Sequence, residues 1–234
     1  MTADNTPLPS RLVAAIDGPA GSGKSTLAKL LAEKIGGVYI DTGAMYRSVT
    51  AKALDSGVDP KDEYAVGRIA ESIKITFHRD GAVQKTFVDG ADFSERIRRP
   101  DVNASVSIVA AQKPVRDKMV ALQREMGRHG RIVMEGRDIG TNVFPDADFK
   151  FFLVADDRVR AYRRLKEMET QGHRLNHGEV LANLRERDAI DSGRAEAPLA
   201  KAADAMEIDT SHLSIDEVLQ KMLQIILFRL GGHA

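Results

Sequence analysis

The sequence predicts an α/β fold, a largely parallel sheet with helices on both faces and a small antiparallel insertion. Short apolar runs at Leu12–Ile16, Val38–Ile40, Arg131–Glu135 and Phe149–Ala155 are each followed by polar or helical sequence, and strands alternating with helices make parallel sheets. The stretch "IKITFHRDGAVQKTFVDG" instead alternates apolar and polar residues around Asp80-Gly81, which is hairpin patterning. A glycine-rich loop, "GPAGSGKS", joins the first apolar run to the first helical pattern.

In order along the chain, Leu12–Ile16 reads as a strand ending at "DGPAGSG". Leu27, Leu30, Leu31 and Ile35 then recur at helical spacing until Gly36 and Gly37 stop the pattern. Val38–Ile40 is a second strand and "TGAMYRSVTAKALDSG" a second helix. Ile73, Ile75 and Phe77 begin the hairpin, expected over about 73–94. Val102 to Arg128 reads as helical, interrupted or restarted at Pro114. "RIVME" and "FKFFLVA" are buried strands, and "SIDEVLQKMLQIILFRL" is an amphipathic helix with Ser214 as N-cap and Glu217 completing a capping box. There is no internal repeat and no low-complexity segment.

The 234 residues suffice for one large domain with an insertion, or for two small domains. The 34 basic residues are balanced by 34 acidic ones, which argues against a generic polyanion binder, so nucleotide recognition must come from arginines placed locally in a site. The absence of cysteine removes disulfides, thiolate zinc sites and cysteine nucleophiles. The start "MTADNTPLPSR" lacks the features of a signal peptide, and no segment approaches the roughly 18 apolar residues of a membrane span. A cytoplasmic protein that binds neither membrane nor nucleic acid is expected.

Gly18-x-x-x-x-Gly23-Lys24-Ser25 is a complete phosphate-binding loop between strand and helix. Its glycines let backbone N–H groups turn toward an anion and the helix N-terminus adds positive potential; Lys24, expected to be exposed, reaches the outer phosphates, and the Ser25 hydroxyl can ligate Mg2+. A regulatory GTPase would carry a guanine-reading Asn-Lys-x-Asp, and none of the five asparagines precedes a lysine. A motor or helicase fits poorly with the modest length and balanced charge.

Arginines and aspartates placed after strands suggest the phosphate acceptor. "DTGAMYR" brings Tyr46 and Arg47 to the C-terminal edge of the sheet, where α/β proteins bind ligands. "VMEGRDIG" delivers Arg137 and Asp138 to the same edge. "RERDAIDSGR" offers Arg185, Arg187, Asp188, Asp191 and Arg194, with Arg187, Asp191 and Arg194 on one face if the helix persists. Each arginine alone reads more readily as a solvated salt bridge; their joint position favours a site.

Together "IDGPAGSGKST", "DTGAMYR", "EGRDIGTNVFPDAD", "RERDAIDSGRAEAPL" and the hairpin resemble bacterial-type cytidylate kinases over residues 11 to about 230. The resemblance implies a P-loop nucleoside monophosphate kinase fold and the reaction ATP + (d)CMP = ADP + (d)CDP with Mg2+, by a monomer. It implies a flexible N-terminus at 1–10 and one kinase domain at 11–234. Within that domain lie a core (11–41, 131–155 and 195–234), an acceptor-binding region (about 42–130) and a lid (about 156–178). Gly18, Pro19, Ala20, Gly21, Ser22, Gly23, Lys24, Ser25 and Thr26 would bind ATP, with Ser25 on the metal. In the lid, Arg158, Arg160, Arg163 and Arg164 could close over the triphosphate, Arg160 and Arg164 being taken as ATP-binding. Matching positions for the acceptor are Thr42, Tyr46, Arg47, Ser107, Arg116, Arg137, Asp138, Arg187, Asp191 and Arg194. Arg47, Arg137 and Arg187 would hold its phosphate, Ser107, Arg116 and Asp138 the cytosine, and Asp191 the ribose. Lys24, Arg137, Asp138 and Arg187 are the expected catalytic residues; Asp138 and Glu135 are candidate bases, although positioning and electrostatics carry most of phosphoryl transfer. Glu135 departs from the family's "DGRD". Kinases acting on UMP, dTMP or shikimate, and a nucleotide-binding switch, are the alternative readings.

Overall fold

Six consecutive buried residues form the central strand β1 (Leu12–Asp17). In chain order follow α1 (Lys24–Lys34), β2 (Val38–Asp41), α2 (Thr42–Asp55), α3 (Glu63–Ser72), β3 (Ile75–Asp80), β4 (Val83–Val88), β5 (Ala91–Asp92), α4 (Pro100–Ala111), α5 (Lys113–Met126), β6 (Arg131–Gly136), β7 (Phe149–Val154), α6 (Asp157–Thr170), α7 (His177–Gly193), β8 (Met206–Asp209) and α8 (Ile215–Gly231). The computed structural model describes residues 8–80, 83–170 and 176–231. The tip of the expected hairpin at 81–82, residues 171–175 of the expected lid and most of the expected N-terminal tail lie outside the described residues. The chain divides into two compact units, the first running to Ile40 and then over Gly127–Gly193 and from Ala197 onward, the second Asp41–Met126 with Arg194–Glu196.

The first unit is built on a five-stranded sheet of order β2-β6-β1-β7-β8. β1 runs parallel to β6, Leu12 opposite Arg131, and to β7, Ala14 opposite Phe149; β7 runs parallel to β8. An uninterrupted apolar strand suits this central place because both its faces are covered. Leu12, Ala14 and Ile16 pack with Leu27 and Leu31 of α1, Phe149, Phe151 and Leu153 of β7, and Val218, Met222 and Ile226 of α8. Gly23 introduces α1 at φ 91°, a left-handed conformation that costs glycine little. At α8 the Ser214 N–H donates to the Glu217 carboxylate at 2.8 Å while the Glu217 N–H donates to the Ser214 hydroxyl at 3.3 Å. That is the expected capping box.

In the second unit α2 is capped by Asp41, whose carboxylate accepts the Ala44 N–H at 2.8 Å. Met45 and Val49 of α2 pack with Val66 and Ala70 of α3, Val106 and Val109 of α4, and Val115 and Met119 of α5. The hairpin is antiparallel with Ile75 opposite Val88, and β5 adds a third short strand. The long helical stretch breaks at Gln112, whose ψ is 127°. It restarts so that Pro114 falls in the first turn of α5, where a missing N–H costs nothing. No helix among the described residues is long and apolar enough to cross a membrane.

Besides the two-residue β5, α3 and β8 escape the sequence pattern. α3 has a good N-cap, Asp62 accepting the Ala65 N–H at 3.0 Å, but Gly67 in its middle weakens the signal. Tertiary packing requires that glycine, since a Cβ there would lie 2.9 Å from the Pro114 Cβ. β8 is four residues long and buries only Ile208, too little for a periodicity to register.

Candidate active site

In the first unit the phosphate loop leaves the end of β1 through Gly18, at φ +146° and so close to β7 that a Cβ would lie 2.1 Å from the Leu153 carbonyl oxygen. Lys24 is not exposed, contrary to expectation, but retains 5% of its accessibility. Its ammonium folds back onto the loop, donating to the Pro19 carbonyl at 2.6 Å and the Ser22 hydroxyl at 3.4 Å. Burial, and secondly the positive charge of Arg137, push its pKa down to about 7, against the opposing pull of Glu135, Asp17 and Asp188. Ser25 and Thr26 are exposed on the first turn of α1.

Residues around the end of β6 converge on this loop. Asp17 accepts the Ile139 N–H at 2.8 Å and the Gly140 N–H at 2.7 Å, one on each oxygen. Burial raises its pKa to about 6 although both hydrogen bonds favour the charged form. Glu135, 5% exposed, accepts from the Tyr39 hydroxyl at 2.5 Å. The glutamate that departs from the expected aspartate is therefore tied across the sheet by a phenol, from β6 to β2. Arg137 donates through Nε to Asp191 at 2.8 Å. Asp138 is 4% exposed and accepts from the Asn142 amide at 3.0 Å. The structure thus joins "VMEGRDIG" to "RERDAIDSGR" through Arg137 and Asp191. Arg187 stands one turn before Asp191 on α7, and Arg194 falls just beyond that helix, which ends at Gly193.

The four arginines of the expected lid have different surroundings. Arg160 is 4% exposed; it donates to the Ala20 carbonyl of the phosphate loop at 3.0 Å, to Asp188 at 2.6 Å and to Asp157 at 2.5 Å. Arg163 grips Thr210 through its hydroxyl at 2.9 Å and its carbonyl at 2.6 Å. Arg164 pairs with Glu167 at 2.7 Å, and Arg158 is exposed. α6 and α7 share a small apolar core of Ala161, Val180 and Leu184, against which Ala20 packs.

In the second unit Arg47 pairs with Asp41 at 3.1 Å, so one carboxylate both caps α2 and holds a side chain on its first turns. Thr42 and Tyr46 are buried on the same helix. The Arg116 guanidinium lies 5.7 Å from the Tyr46 ring centroid and donates to the Ala110 carbonyl at 3.2 Å. Ser107 is buried on α4. The sequence marks these residues but not Asp17, Tyr39 or Asn142. Asp17 carried a visible signal, an acidic residue ending a buried strand next to the loop. Tyr39 and Asn142 carried none, because each acts through a partner that only folding brings near.

The profile of the family described as "Cytidylate kinase" matches residues 14–227. The chain is 46% identical to a protein of Bacillus anthracis named cytidylate kinase, over 93% of this chain and 96% of the relative. It is 47% identical to one of the same name from Bacillus pumilus, over 91% and 95%. A third, from Geobacter sulfurreducens, is 44% identical over 92% of each chain.

Proposed function

The chain belongs to the cytidylate kinase family, and from that premise we infer that it transfers the γ-phosphoryl group of ATP to CMP, and to dCMP likewise, as a cytoplasmic monomer. An oxygen of the CMP phosphate attacks the γ-phosphorus, the bond to the β–γ bridging oxygen breaks, and ADP and CDP leave. The observation that carries the acceptor is the likeness to cytidylate kinases over more than nine-tenths of the chain; the phosphate loop carries the donor.

The loop from Gly18 to Thr26 holds the ATP phosphates, and Lys24 leaves the Pro19 carbonyl to meet them. A polyphosphate offers this buried ammonium the counter-charge that its burial and Arg137 otherwise deny it. Arg47, Arg137 and Arg187 hold the acceptor phosphate, with Asp191 bracing Arg137 through the 2.8 Å bond as well as meeting the ribose. Guanidinium forks suit this task because they stay charged and bind oxygens bidentately. Thr42, Tyr46 and Arg194 complete the acceptor contacts. Arg160 supports the donor loop through Ala20, and Arg164 can exchange Glu167 for a phosphate. Mg2+ fits the residues present: the exposed Ser25 hydroxyl makes no hydrogen bond to protein among the described residues, and Mg2+ commonly takes few protein ligands beside substrate phosphates and water. When bound it neutralises phosphate charge.

Base selection follows from hydrogen-bond chemistry. Cytosine presents a 4-amino donor beside acceptors at N3 and O2, which suits the Asp138 carboxylate together with Arg116 and Ser107. Uracil would set its 4-oxo group against that carboxylate, leaving a buried acceptor unpaired at about 1–3 kcal/mol. CMP is therefore expected to exceed UMP in kcat/KM by about tenfold to several hundredfold. A coupled assay with ATP and Mg2+ against CMP, dCMP, UMP, dTMP and shikimate tests the assignment. No turnover of CMP, or equal use of UMP, would refute it.

A further inference from the structure

We propose that Asp17 and Asn142 are positioning residues for base recognition, Asp17 fixing the backbone next to Asp138 and Asn142 fixing its carboxylate. Asp138 precedes a short π-helical turn, Ile139–Val143, and its own backbone is neither helical nor extended, at φ −145° and ψ 27°. Two sets of contacts hold it there. The Asp138 carbonyl accepts the N–H groups of Asn142 at 2.9 Å and Val143 at 3.2 Å, closing the turn from within. The N–H groups of Ile139 and Gly140, which have no earlier turn to receive them, are taken by the two carboxylate oxygens of Asp17.

Asp17 is suited to this by its charge. A carboxylate accepts on both oxygens, whereas an amide of the same shape accepts on one and would turn its NH2 toward a second donor. The protein retains this carboxylate in a site buried enough to raise its pKa to about 6, so an ionised group is kept where burial opposes it. The residue also stands immediately before Gly18, so the chain segment that opens the phosphate loop is the one that anchors the turn after Asp138. Asn142 acts at the other end of the turn. Its Nδ2 donates to Asp138 Oδ2 at 3.0 Å, restricting rotation of the carboxylate about its Cβ–Cγ bond. A carboxylate free to rotate would lose the fixed angle from which it accepts the cytosine amino group, and selectivity depends on such fixed geometry.

The proposal rests on the reading that Asp138 accepts from the cytosine amino group, and the experiment separates the two. Kinetics for CMP and for UMP, with thermal melts, are measured on the wild type and on Asp138→Asn, Asn142→Leu and Asp17→Asn. Asp138→Asn should narrow the preference for CMP, since an amide can donate to the 4-oxo group. Asn142→Leu, close in shape but without a donor, should narrow it about threefold to tenfold, mainly through kcat/KM for CMP. It should leave the KM for ATP within about twofold. Asp17→Asn should narrow it at least as much. If Asp138→Asn narrows the preference while the other two keep the wild-type ratio and lose only thermal stability, Asp17 and Asn142 are structural and the proposal is overturned. If Asp138→Asn leaves the ratio unchanged, the base assignment fails and takes the proposal with it. Should Asp17→Asn not fold, the half-buried Asn142→Leu variant decides.

Discussion

Replacing Lys24 with methionine should abolish phosphoryl transfer and yet stabilise the substrate-free protein at neutral pH. In the folded chain the lysine pKa falls from 10.5 to about 7, through burial first and Arg137 second. Between those two values the unfolded chain binds a proton that the folded one does not, so this group makes stability rise with pH across that window. Below pH 7 the full cost of a charged, buried ammonium is present; above 10.5 it has vanished. At about 1.36 kcal/mol for each tenfold change in proton affinity, the span amounts to ~5 kcal/mol. Methionine of similar length carries no titrating proton and no charge. It also forfeits the bonds to Pro19 and Ser22, which shifts the level of the comparison but not its slope. Urea denaturation of both proteins at intervals from pH 7 to 10 gives the difference directly. Asp17, with its pKa near 6, is ionised over most of that range in both proteins, so its contribution largely cancels. The advantage of Lys24→Met should shrink steadily as pH rises. A difference that does not change with pH would refute the argument that the lysine is held at the expense of the fold. ATP with Mg2+ should raise the wild-type melting temperature more than that of the variant, because only the lysine gains a counter-charge.

Gly18→Ala should be inactive with a lowered melting temperature, since its Cβ would lie 2.1 Å from the Leu153 carbonyl oxygen; ordinary turnover would show that the loop can move off β7. Arg47→Ala should raise the KM for CMP about tenfold or more while changing that for ATP little, at about 0.5 kcal/mol of stability for a partly exposed pair. Equal loss of both affinities in separate titrations would remove Arg47 from the acceptor. Arg160→Ala should cost about 3 kcal/mol by urea denaturation, because it strips the buried partner from Asp188 and the Ala20 carbonyl. A negligible cost would mean that the guanidinium is not structural.

Strands β1, β6 and β7 were legible because a strand covered on both faces leaves little for polar residues to do, and Leu12–Ile16 states that in five letters. The phosphate loop was legible because its chemistry is local, every contributor lying within nine residues of chain. α3 was not, because Gly67 answers to Pro114 and so obeys a demand from elsewhere in the fold. The burial of Lys24 is hidden from the sequence for a related reason: a loop lysine reads as solvated until the carbonyl it folds onto, and the neighbouring Arg137, are seen together. The motif arginines divide along the same line. Sequence marks Arg160 as basic and near the loop, but only the structure shows it spending three of its donors on Ala20, Asp157 and Asp188.

The sheet order carries a consequence for how the chain is made. β1 has no neighbour except β6 and β7, and Leu12 pairs with Arg131. During synthesis this apolar strand therefore emerges before either of its partners and waits, unpaired on both edges, while the whole of Asp41–Met126 is added. That intervening stretch owns a contiguous set of helices and its own core, so it has what it needs to collapse on the ribosome before the sheet can close. A nascent chain stalled before residue 131 carries the helices of Asp41–Met126 and a bare six-residue strand, the kind of edge that recruits other chains. The five-stranded sheet is thus finished late, and until β6 arrives its central strand has no hydrogen-bonding neighbour.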